Sequence, residues 1–301
     1  MLVYDVQDVV KYYPGQTKAA NEHITLQIQE GTIFGILGDN GAGKSTLIRQ
    51  MVNLLQSTSG SIKLYGHELK NNPQLVPQLV GYMPQRYEAL NNLTVDEALY
   101  FTAHLRGMTR NDARQERERL LKLWQIEDLR HKYSSRLSGG QQRIVRLAVA
   151  AAGRLPVLIL DEPTNDLDPL RRKMVWDILR QLNADYGTTI IFITHDAIEA
   201  EKIVQRIAIL HDGRLLVEGS LSELKQIVGK KMRLELTFTP GLPPTLPEGL
   251  TPHEVMPGRW LVMLDWEQVG PVLSALSREH CDDVRLYTAT LEDIYLHYVT
   301  A

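Results

Sequence analysis

The segment Gly38-Asp39-Asn40-Gly41-Ala42-Gly43-Lys44-Ser45 constrains this chain more than any other, because it fills every fixed position of the pattern G-x-x-x-x-G-K-[ST]. The apolar residues 32–37 before it predict a buried strand, and residues 45–51 after it predict the start of a helix. In that context the loop turns backbone N–H groups toward an anion at a helix N-terminus. The sequence therefore predicts a nucleoside triphosphate site, in which Lys44 neutralises the β- and γ-phosphates and the Ser45 hydroxyl holds Mg²⁺.

The charge balance and the cysteine content indicate which partners and which cellular compartment to expect. The 301 residues include 33 basic and 36 acidic side chains, a net charge of −3, so we expect no nucleic-acid partner. The single cysteine, Cys281, excludes an internal disulfide and a cysteine metal cage, and favours the reducing cytoplasm. No apolar run approaches the roughly 18 to 20 residues that span a bilayer, and the start lacks the pattern of a signal peptide. Any membrane role is therefore expected to come through a partner.

The pattern along the chain predicts an α/β domain with an insert of helices. An alternating segment at 24–29 predicts a half-buried strand, and short strands are expected at 61–66 and 80–84. Residues 86–136 form the predicted helical insert, in which Thr94 and Glu97 have the spacing of a capping box. Further strands, alternating with helices, predict a parallel sheet that ends in a hairpin over 207–217: residues 157–160, 189–193 and 207–210.

A composition change near residue 230 predicts two domains, a large one over 1–229 and a small α+β one over 230–301. Prolines are dense from Pro240 to Pro257, which predicts a loop there. The regular elements expected around this loop are strands at 232–238, 260–264 and 284–287, a helix at 268–280 and a closing helix from Leu291.

Two further motifs bear on chemistry. Residues 157–160 are apolar and end in Asp161-Glu162, at the strand end where α/β sheets bind ligands. We expect Asp161 to hold Mg²⁺, directly or through water, and Glu162 to accept a proton from the water that attacks the γ-phosphate. The alternative for this pair is a solvated strand end.

The second motif is Leu137-Ser138-Gly139-Gly140-Gln141, which we call the signature segment, at the entry to a helix. The Ser138 hydroxyl and the glycine amides could form a second anion site there. A plain capped helix is the alternative for these residues.

Taken together, these motifs resemble those of the ATP-binding cassette family. The resemblance covers residues 1–220 and rests on six segments in order: the phosphate loop 38–45, Gln85 (Q-loop), the signature segment, residues 157–162 (Walker B), Asn165-Asp166-Leu167-Asp168 (D-loop) and His195 (H-loop). In that family two cassettes face head to tail, so that the signature of one closes over the γ-phosphate of ATP held by the other. The resemblance therefore implies a P-loop NTPase fold and an ATPase that works as a dimer.

The resemblance also implies roles for single residues. Tyr13 would stack on adenine, with Tyr12 as the alternative, and Gln85 would reach Mg²⁺ and the attacking water. His195 would hydrogen-bond the γ-phosphate. Asp168 would contact the opposing phosphate loop, or simply cap a helix. The remaining nucleotide contacts implied are Gly38, Asp39, Asn40, Gly41, Ala42, Gly43, Lys44, Ser45 and Thr46 in one cassette and Ser138, Gly139, Gly140 and Gln141 in the other.

The closing segment Thr290-Leu291-Glu292-Asp293-Ile294-Tyr295-Leu296 resembles that of cassette subunits of ABC-2-type exporters, including drug and antibiotic exporters. A short amphipathic helix is the alternative. The resemblance implies an exporter ATPase with bound ATP and Mg²⁺, a homodimer on the inner face of the membrane, bound to a separately encoded permease. The small domain would serve dimer contact or regulation.

Asn165-Asp166 departs from many exporter cassettes and keeps a soluble, translation-factor-like ATPase as an alternative. An importer subunit is a third possibility.

Overall fold

The computed structural model of the protein describes residues 1–85, 90–227, 232–247, 249–276, 281–288 and 290–300. The chain forms two compact units, Met1–Gly219 and Ser220–Ala301. The sequence places this division ten residues later, at 229/230. The difference is a short helix at Leu221–Ile227, which packs against the closing helix Leu291–Thr300 and so belongs to the second unit.

The first unit is built on two sheets and a set of helices. Its strands are β1 (Leu2–Lys11), β2 (Asn21–Gln29), β3 (Ile33–Leu37), β4 (Ser59–Leu64), β5 (His67–Glu68), β6 (Val80–Met83), β7 (Val157–Asp161), β8 (Thr189–Thr194), β9 (Arg206–His211) and β10 (Arg214–Ser220). Its helices are α1 (Lys44–Met51), α2 (Leu75–Leu79), α3 (Val95–Leu105), α4 (Arg110–Leu123), α5 (Gly139–Ala151), α6 (Pro169–Tyr186) and α7 (Ala197–Ile203), with 3₁₀ turns at Glu127–Leu129 and Ser134–Arg136.

The six-stranded sheet carries the phosphate loop. Its order is β10-β9-β3-β8-β7-β6, and the pairs from β9 through to β6 are parallel. Every residue of β3, β7 and β8 is buried, as expected for parallel strands covered on both faces. Asp212-Gly213 joins β9 to its neighbour β10, which confirms the predicted terminal hairpin.

A second sheet of four antiparallel strands, β2-β1-β4-β5, shares one apolar core with the larger sheet. The long strand β1, which the sequence reading did not predict, pairs with β2 on one side and β4 on the other. Its core residues Val3, Tyr4 and Val6 are fully buried.

The insert between β6 and β7 is helical, as predicted. Helices α3 and α4 pack against each other, and α3 also contacts α5. The capping box at the start of α3 is confirmed, because Thr94 accepts from the Glu97 amide while the Glu97 carboxylate accepts from the Thr94 amide. The first four residues of the predicted insert, 86–89, lie outside the described residues.

In its described residues, the second unit has a four-stranded antiparallel sheet and three helices, in line with the α+β prediction. Its elements are α8 (Leu221–Ile227), β11 (Met232–Thr237), β12 (His253–Met256), β13 (Arg259–Leu264), α9 (Trp266–Ala275), β14 (Asp283–Thr288) and α10 (Leu291–Thr300), with strand order β12-β13-β11-β14.

Two sequence predictions in this unit need correction. The proline-dense segment is not a loop throughout, because β12 pairs with β13 inside it, between Pro252 and Pro257. Helix α9 ends at Ala275, and residues 277–280 of the predicted helix lie outside the described part.

Among the described residues, no helix combines the length and the apolar character needed to cross a bilayer.

Candidate functional site

The predicted site residues follow the carboxyl ends of three neighbouring parallel strands. Leu37 at the end of β3 pairs with Thr194 at the end of β8, and Asp161 at the end of β7 pairs with Ile193. The residue that directly follows each strand belongs to the predicted site: Gly38 of the phosphate loop after β3, Glu162 after β7 and His195 after β8. Because parallel strands end at the same edge of the sheet, the fold brings the three motifs to one place.

The phosphate loop requires glycine where the backbone passes close to other chain segments. Gly43 has φ +95°, and a Cβ there would lie 2.4 Å from the Ala20 carbonyl oxygen. Gly38 is equally restricted, since a Cβ would lie 2.2 Å from the Leu210 carbonyl oxygen. Asn21 helps to fix the loop by donating from Nδ2 to the Gly43 carbonyl at 3.1 Å. The loop is therefore held by its surroundings as well as by its own sequence.

Lys44 is buried at the start of α1, with 6% of its surface exposed. Its ammonium donates to the carbonyl oxygens of Gly38 at 2.6 Å and Asp39 at 3.0 Å, so the loop wraps around its own cation. Burial lowers the pKa of this ammonium below that of an ordinary lysine, and the neighbouring carboxylates offset only part of the fall. The cation is already in place for an anionic ligand.

Asp161 faces the first turn of the same helix. Its Oδ2 accepts from the Ser45 hydroxyl at 3.2 Å, while its buried Oδ1 has no hydrogen-bond partner among the described residues. Burial raises the pKa of Asp161, the bond from Ser45 opposes that rise, and the charge of Glu162 adds to it. An unpaired carboxylate oxygen beside a hydroxyl is the donor set that Mg²⁺ prefers, so these residues fit that ion.

Glu162 is buried at 4% exposure and lies beside His195. The His195 Nδ1 atom is 3.0 and 2.9 Å from the two carboxylate oxygens of Glu162. The backbone of Glu162 has φ +52°, a left-handed conformation that a side chain other than glycine adopts only when its surroundings hold it. Two bonds do so here: its N–H donates to the Ile193 carbonyl at 3.0 Å, and its carbonyl accepts from Arg143 Nη1 at 3.1 Å.

A cavity joins several of these groups and is called the nucleotide cavity below. It brings together the phosphate loop with Gln85 from the end of β6 and Glu162 from the end of β7. Its lining consists of Ala20, Asn40, Gly41, Gly43, Lys44, Ser45, Thr46, Gln85 and Glu162. Gln85 also borders a second cleft, which His195, Arg143 and Asp166 line as well.

The two candidate tyrosines differ in their contacts. The Tyr13 hydroxyl lies 3.3 Å from Thr46 Oγ1, on the first turn of α1, and the ring lies beside the Lys11 ammonium. Tyr12 is 42% exposed, and its backbone amide donates to Thr58 Oγ1. Tyr13 is therefore the tyrosine whose side chain reaches a lining residue of the nucleotide cavity.

The signature segment lies apart from the nucleotide cavity of its own chain, since none of Ser138 to Gln141 is among the described residues that line it. It forms a capped helix start: Ser138 Oγ accepts from the Gln141 amide, and Gln141 Oε1 accepts from the Ser138 amide. Asp168 likewise caps α6, accepting at Oδ1 from the amides of Leu170 and Arg171 at 3.1 and 3.0 Å. The signature segment and Asp168 therefore both cap helices of their own chain, and a role at a second chain stays a prediction.

Sequence reasoning missed two buried charged side chains near the site. Arg143, on α5, contacts Glu162 and Asp166. Glu199, at 3% exposure, accepts from Thr194, Thr164 and Trp176, and so ties the strand before His195 to α6 and α7. Both residues look like ordinary helix positions in the sequence, and only the tertiary fold shows what they touch.

This chain is similar in sequence to known proteins. The ABC transporter family profile matches residues 21–165. The daunorubicin/doxorubicin resistance ATP-binding protein DrrA of Streptomyces peucetius is 35% identical over 233 residues, which cover 77% of this chain and 70% of that protein. The ATP-binding cassette sub-family A member 2 of Rattus norvegicus is 34% identical over 247 residues, 82% of this chain. The chain spans only about a tenth of the length of this second relative.

Solved structures agree with the sequence relatives. The ATP-binding subunit of an ABC transporter superposes with a TM-score of 0.69 at 27% identity, over 75% of this chain and 92% of that chain. A dimeric bacterial ABC transporter cassette gives 0.68 at 27% identity, over 72% and 98%. A post-hydrolysis dimer of such a cassette, bound to ADP and Pi, gives 0.67 at 26% identity, over 72% and 98%. With the phosphate loop, Walker B carboxylates and signature segment in place, this chain belongs to the ABC transporter family and forms one of its ATPase cassettes.

Proposed function

We propose that this chain is the ATP-hydrolysing subunit of an ABC exporter of the ABC-2 type. The observation that carries the proposal is the similarity to a drug-resistance ATP-binding protein, which extends over 77% of this chain and 70% of that protein. The closing segment of the chain, residues 290–296, supports the same class. The permease is a separate membrane protein, and the subunit acts on its cytoplasmic side.

In this proposal two copies of the chain close head to tail around ATP. The phosphate loop of one copy binds the β- and γ-phosphates, and Lys44 supplies the charge. The signature segment of the other copy covers the γ-phosphate with the amides at the start of α5. ATP then contacts both copies at once, and neither copy alone can make all of these contacts. ATP therefore stabilises the closed pair, and the pair opens when the γ-phosphate is lost.

Glu162 is the proton acceptor in this proposal, and His195 is its hydrogen-bond neighbour. The Glu162 carboxylate is placed to accept a proton from the attacking water. His195 faces that carboxylate through Nδ1, so in the neutral ring Nδ1 holds the proton and Nε2 is an acceptor. A His195 that donates to the Glu162 carboxylate through Nδ1 and also to the γ-phosphate through Nε2 must carry protons on both nitrogens.

Mg²⁺ is the ion that fits the oxygen donors of Ser45 and Asp161, with Gln85 at the rim. When bound, it would neutralise charge on the β- and γ-phosphates. The residues of the chain would position it through Ser45 Oγ and the unpaired Asp161 Oδ1.

Exporter function is tested by trapping the closed pair and finding its partner. Glu162→Gln keeps the shape of the side chain but removes the proton acceptor, so Mg-ATP should hold the variant as a dimer in size-exclusion chromatography. The tagged variant is then purified with ATP from detergent-solubilised native membranes. A stoichiometric polytopic membrane protein supports the transporter, and the direction of transport in reconstituted vesicles separates exporter from importer.

Two outcomes contradict the proposal. A variant that stays monomeric with Mg-ATP removes the dimer. Ribosomal proteins in place of a membrane protein favour the soluble ATPase.

A further inference from the structure

We propose that Arg143 is a positioning residue that links the signature segment to Glu162 of the same chain. When the signature segment of one chain contacts the ATP bound by its partner, this link sets the geometry of Glu162 in the first chain. That Glu162 acts on the ATP that the first chain itself binds. The inference rests on the head-to-tail dimer proposed above and adds to it a physical connection between the two ATP sites.

The first step of the argument is where Arg143 lies. It belongs to α5, one turn after the helix start that the signature segment forms, and only 8% of its surface is exposed. The neighbouring residue Gln142 connects this part of α5 to the signature segment. Its backbone N–H donates to the Ser138 carbonyl at 2.8 Å, and its side-chain Nε2 donates to the Leu137 carbonyl at 3.1 Å. A helical turn is stiff, so a displacement of the signature segment also moves Arg143.

The second step is what the guanidinium holds. Nη1 donates to the Glu162 carbonyl at 3.1 Å in a buried bond, and Nη2 lies 3.4 Å from Asp166 Oδ2. Both acceptors belong to residues with left-handed backbones, φ +52° at Glu162 and φ +65° at Asp166. One guanidinium therefore holds both ends of the short segment 162–166 that connects Walker B with the D-loop. Arginine suits this task because its planar fork can serve two acceptors and is always charged.

The third step is why the Glu162 backbone matters for chemistry. A left-handed backbone is disfavoured for a residue other than glycine, so the conformation persists only while its contacts hold it. If the bond from Arg143 is lost, only the bond from the Glu162 N–H to the Ile193 carbonyl still holds this backbone, so the carboxylate is positioned less firmly beside His195. An error of about 1 Å in the placement of a reacting group can cost about 100-fold in rate.

The start of α5 also packs against the segment 162–166 and its neighbours. A Cβ on Gly140 would lie 3.2 Å from Arg171 Nη1 and 3.5 Å from Leu167 Cδ2, so the start of α5 packs closely against the D-loop and α6. The signature segment, the D-loop and the Glu162 peptide thus lie close together, and Arg143, which follows the signature segment on α5, donates to the other two.

The first experiment uses Arg143→Met, which keeps the length of the side chain and removes its donors. We expect kcat for ATP hydrolysis to fall at least about tenfold, while KM and the ATP-dependent dimer of the Glu162→Gln background change less than about twofold. Arg143→Lys, which can keep one of the two contacts, should recover part of kcat. The matched control is Arg146→Met, since Arg146 is on the same helix and donates to Gln142 Oε1 at 3.2 Å.

A merely structural role for Arg143 predicts a different pattern. Loss of dimer formation or of ATP affinity in proportion to kcat would overturn the proposal, and so would an unchanged kcat. Thermal unfolding of each variant accompanies the assay. If Arg143→Met does not fold, the same comparison is made with Arg143→Lys, for which the proposal requires a lower kcat at unchanged KM.

The second experiment asks which site Arg143 serves. Mixed dimers of two differently tagged chains carry Glu162→Gln and Arg143→Met either on the same chain or on opposite chains. The readout is the rate constant of the first hydrolysis event in a single turnover, which does not require the blocked site to react. With both changes on one chain, the other site is intact, so the rate should equal that of a dimer with Glu162→Gln in one chain and no other change. With the changes on opposite chains, the site that keeps Glu162 lacks Arg143, so the rate should be at least about tenfold lower.

The reverse order, or equal rates, would overturn the proposal. Failure of the dimer itself is recognised separately: a Glu162→Gln variant that stays monomeric with Mg-ATP overturns both the proposed function and the link. A Glu162→Gln variant that dimerises, together with a normal kcat for Arg143→Met, overturns only the role of Arg143.

Discussion

Two of the described helix starts contain glycine and differ in how they use their backbone donors: the phosphate loop before α1 and the signature segment before α5. Helix α1 has no side-chain cap within the described residues, since Gly43 precedes it and Lys44 turns back to the loop carbonyls. Helix α5 carries a complete capping box from Ser138 and Gln141. The first start leaves backbone donors for a ligand, whereas the second already uses two of them within its own chain.

This difference indicates that nucleotide binds to the phosphate loop before the signature segment takes part. The phosphate loop has a buried cation, a neighbouring carboxylate and a cavity, so it can bind nucleotide in a single chain. The signature segment has only its remaining amides and the partial charge of a helix end, which contribute about 0.3–1 kcal/mol at an exposed position. It therefore adds little binding alone, and in the proposed dimer it acts only when a second chain presents the phosphate.

The largest expected effect tests the first half of this comparison. Lys44→Ala removes the charge at the phosphates and should weaken ATP binding by about 100-fold or more, because hydrogen bonds to charged groups contribute about 1.5–3 kcal/mol each. Titration with a fluorescent ATP analogue measures this, with the exposed Lys122→Ala on α4 as the control. A variant that binds like wild type would mean that the backbone donors alone provide the site.

The same titration has a pH signature. Because burial lowers the pKa of Lys44, its charge is lost at a lower pH than that of an exposed lysine. ATP affinity should therefore fall as the pH rises, and the fall should begin before an ordinary lysine titrates. An affinity that stays level over that alkaline range would contradict a role for the ammonium.

A medium effect tests the second half. Gly139→Asp introduces a carboxylate at the signature segment, where a Cβ meets nothing within 4 Å among the described atoms, so the single chain should fold and bind ATP normally. Against a phosphate from a second chain, like charges cost several kcal/mol, so hydrolysis should fall by about 30-fold or more. Gly139→Ala fills the same space without charge and is the matched control. Normal hydrolysis by Gly139→Asp would remove the signature segment from the reaction.

The two helix starts also show how far the sequence could be interpreted. Both were identifiable, since glycines, Lys44 and the Ser138–Gln141 spacing act through local backbone geometry. The strand ends at Asp161 and Glu162 were equally visible, because buried parallel strands are apolar throughout and end abruptly in polar residues. Local patterns therefore predicted the places where chemistry is expected.

What the sequence could not show depends on contacts between distant segments. The division at Gly219 follows from the packing of α8 on α10, and β12 forms inside a proline-dense segment because β13 offers a partner. The bond from Arg143 to the Glu162 carbonyl joins two motifs 19 residues apart. Nothing in the residues around Arg143 distinguishes it from other polar positions on α5.

The smallest expected effect separates the structural from the binding role of the signature segment. Ser138→Ala removes the cap of α5 and should lower the free energy of unfolding by about 1 kcal/mol, the usual value of an N-cap hydroxyl. Ser138→Asp retains a side-chain acceptor and should restore that stability, yet it places a negative charge toward the partner's phosphate. Denaturant unfolding and ATP hydrolysis measured on both variants should therefore diverge: the aspartate variant is the more stable and the less active. If stability and activity instead rise and fall together, the segment acts only as a helix cap, and the difference between the two helix starts loses its functional meaning.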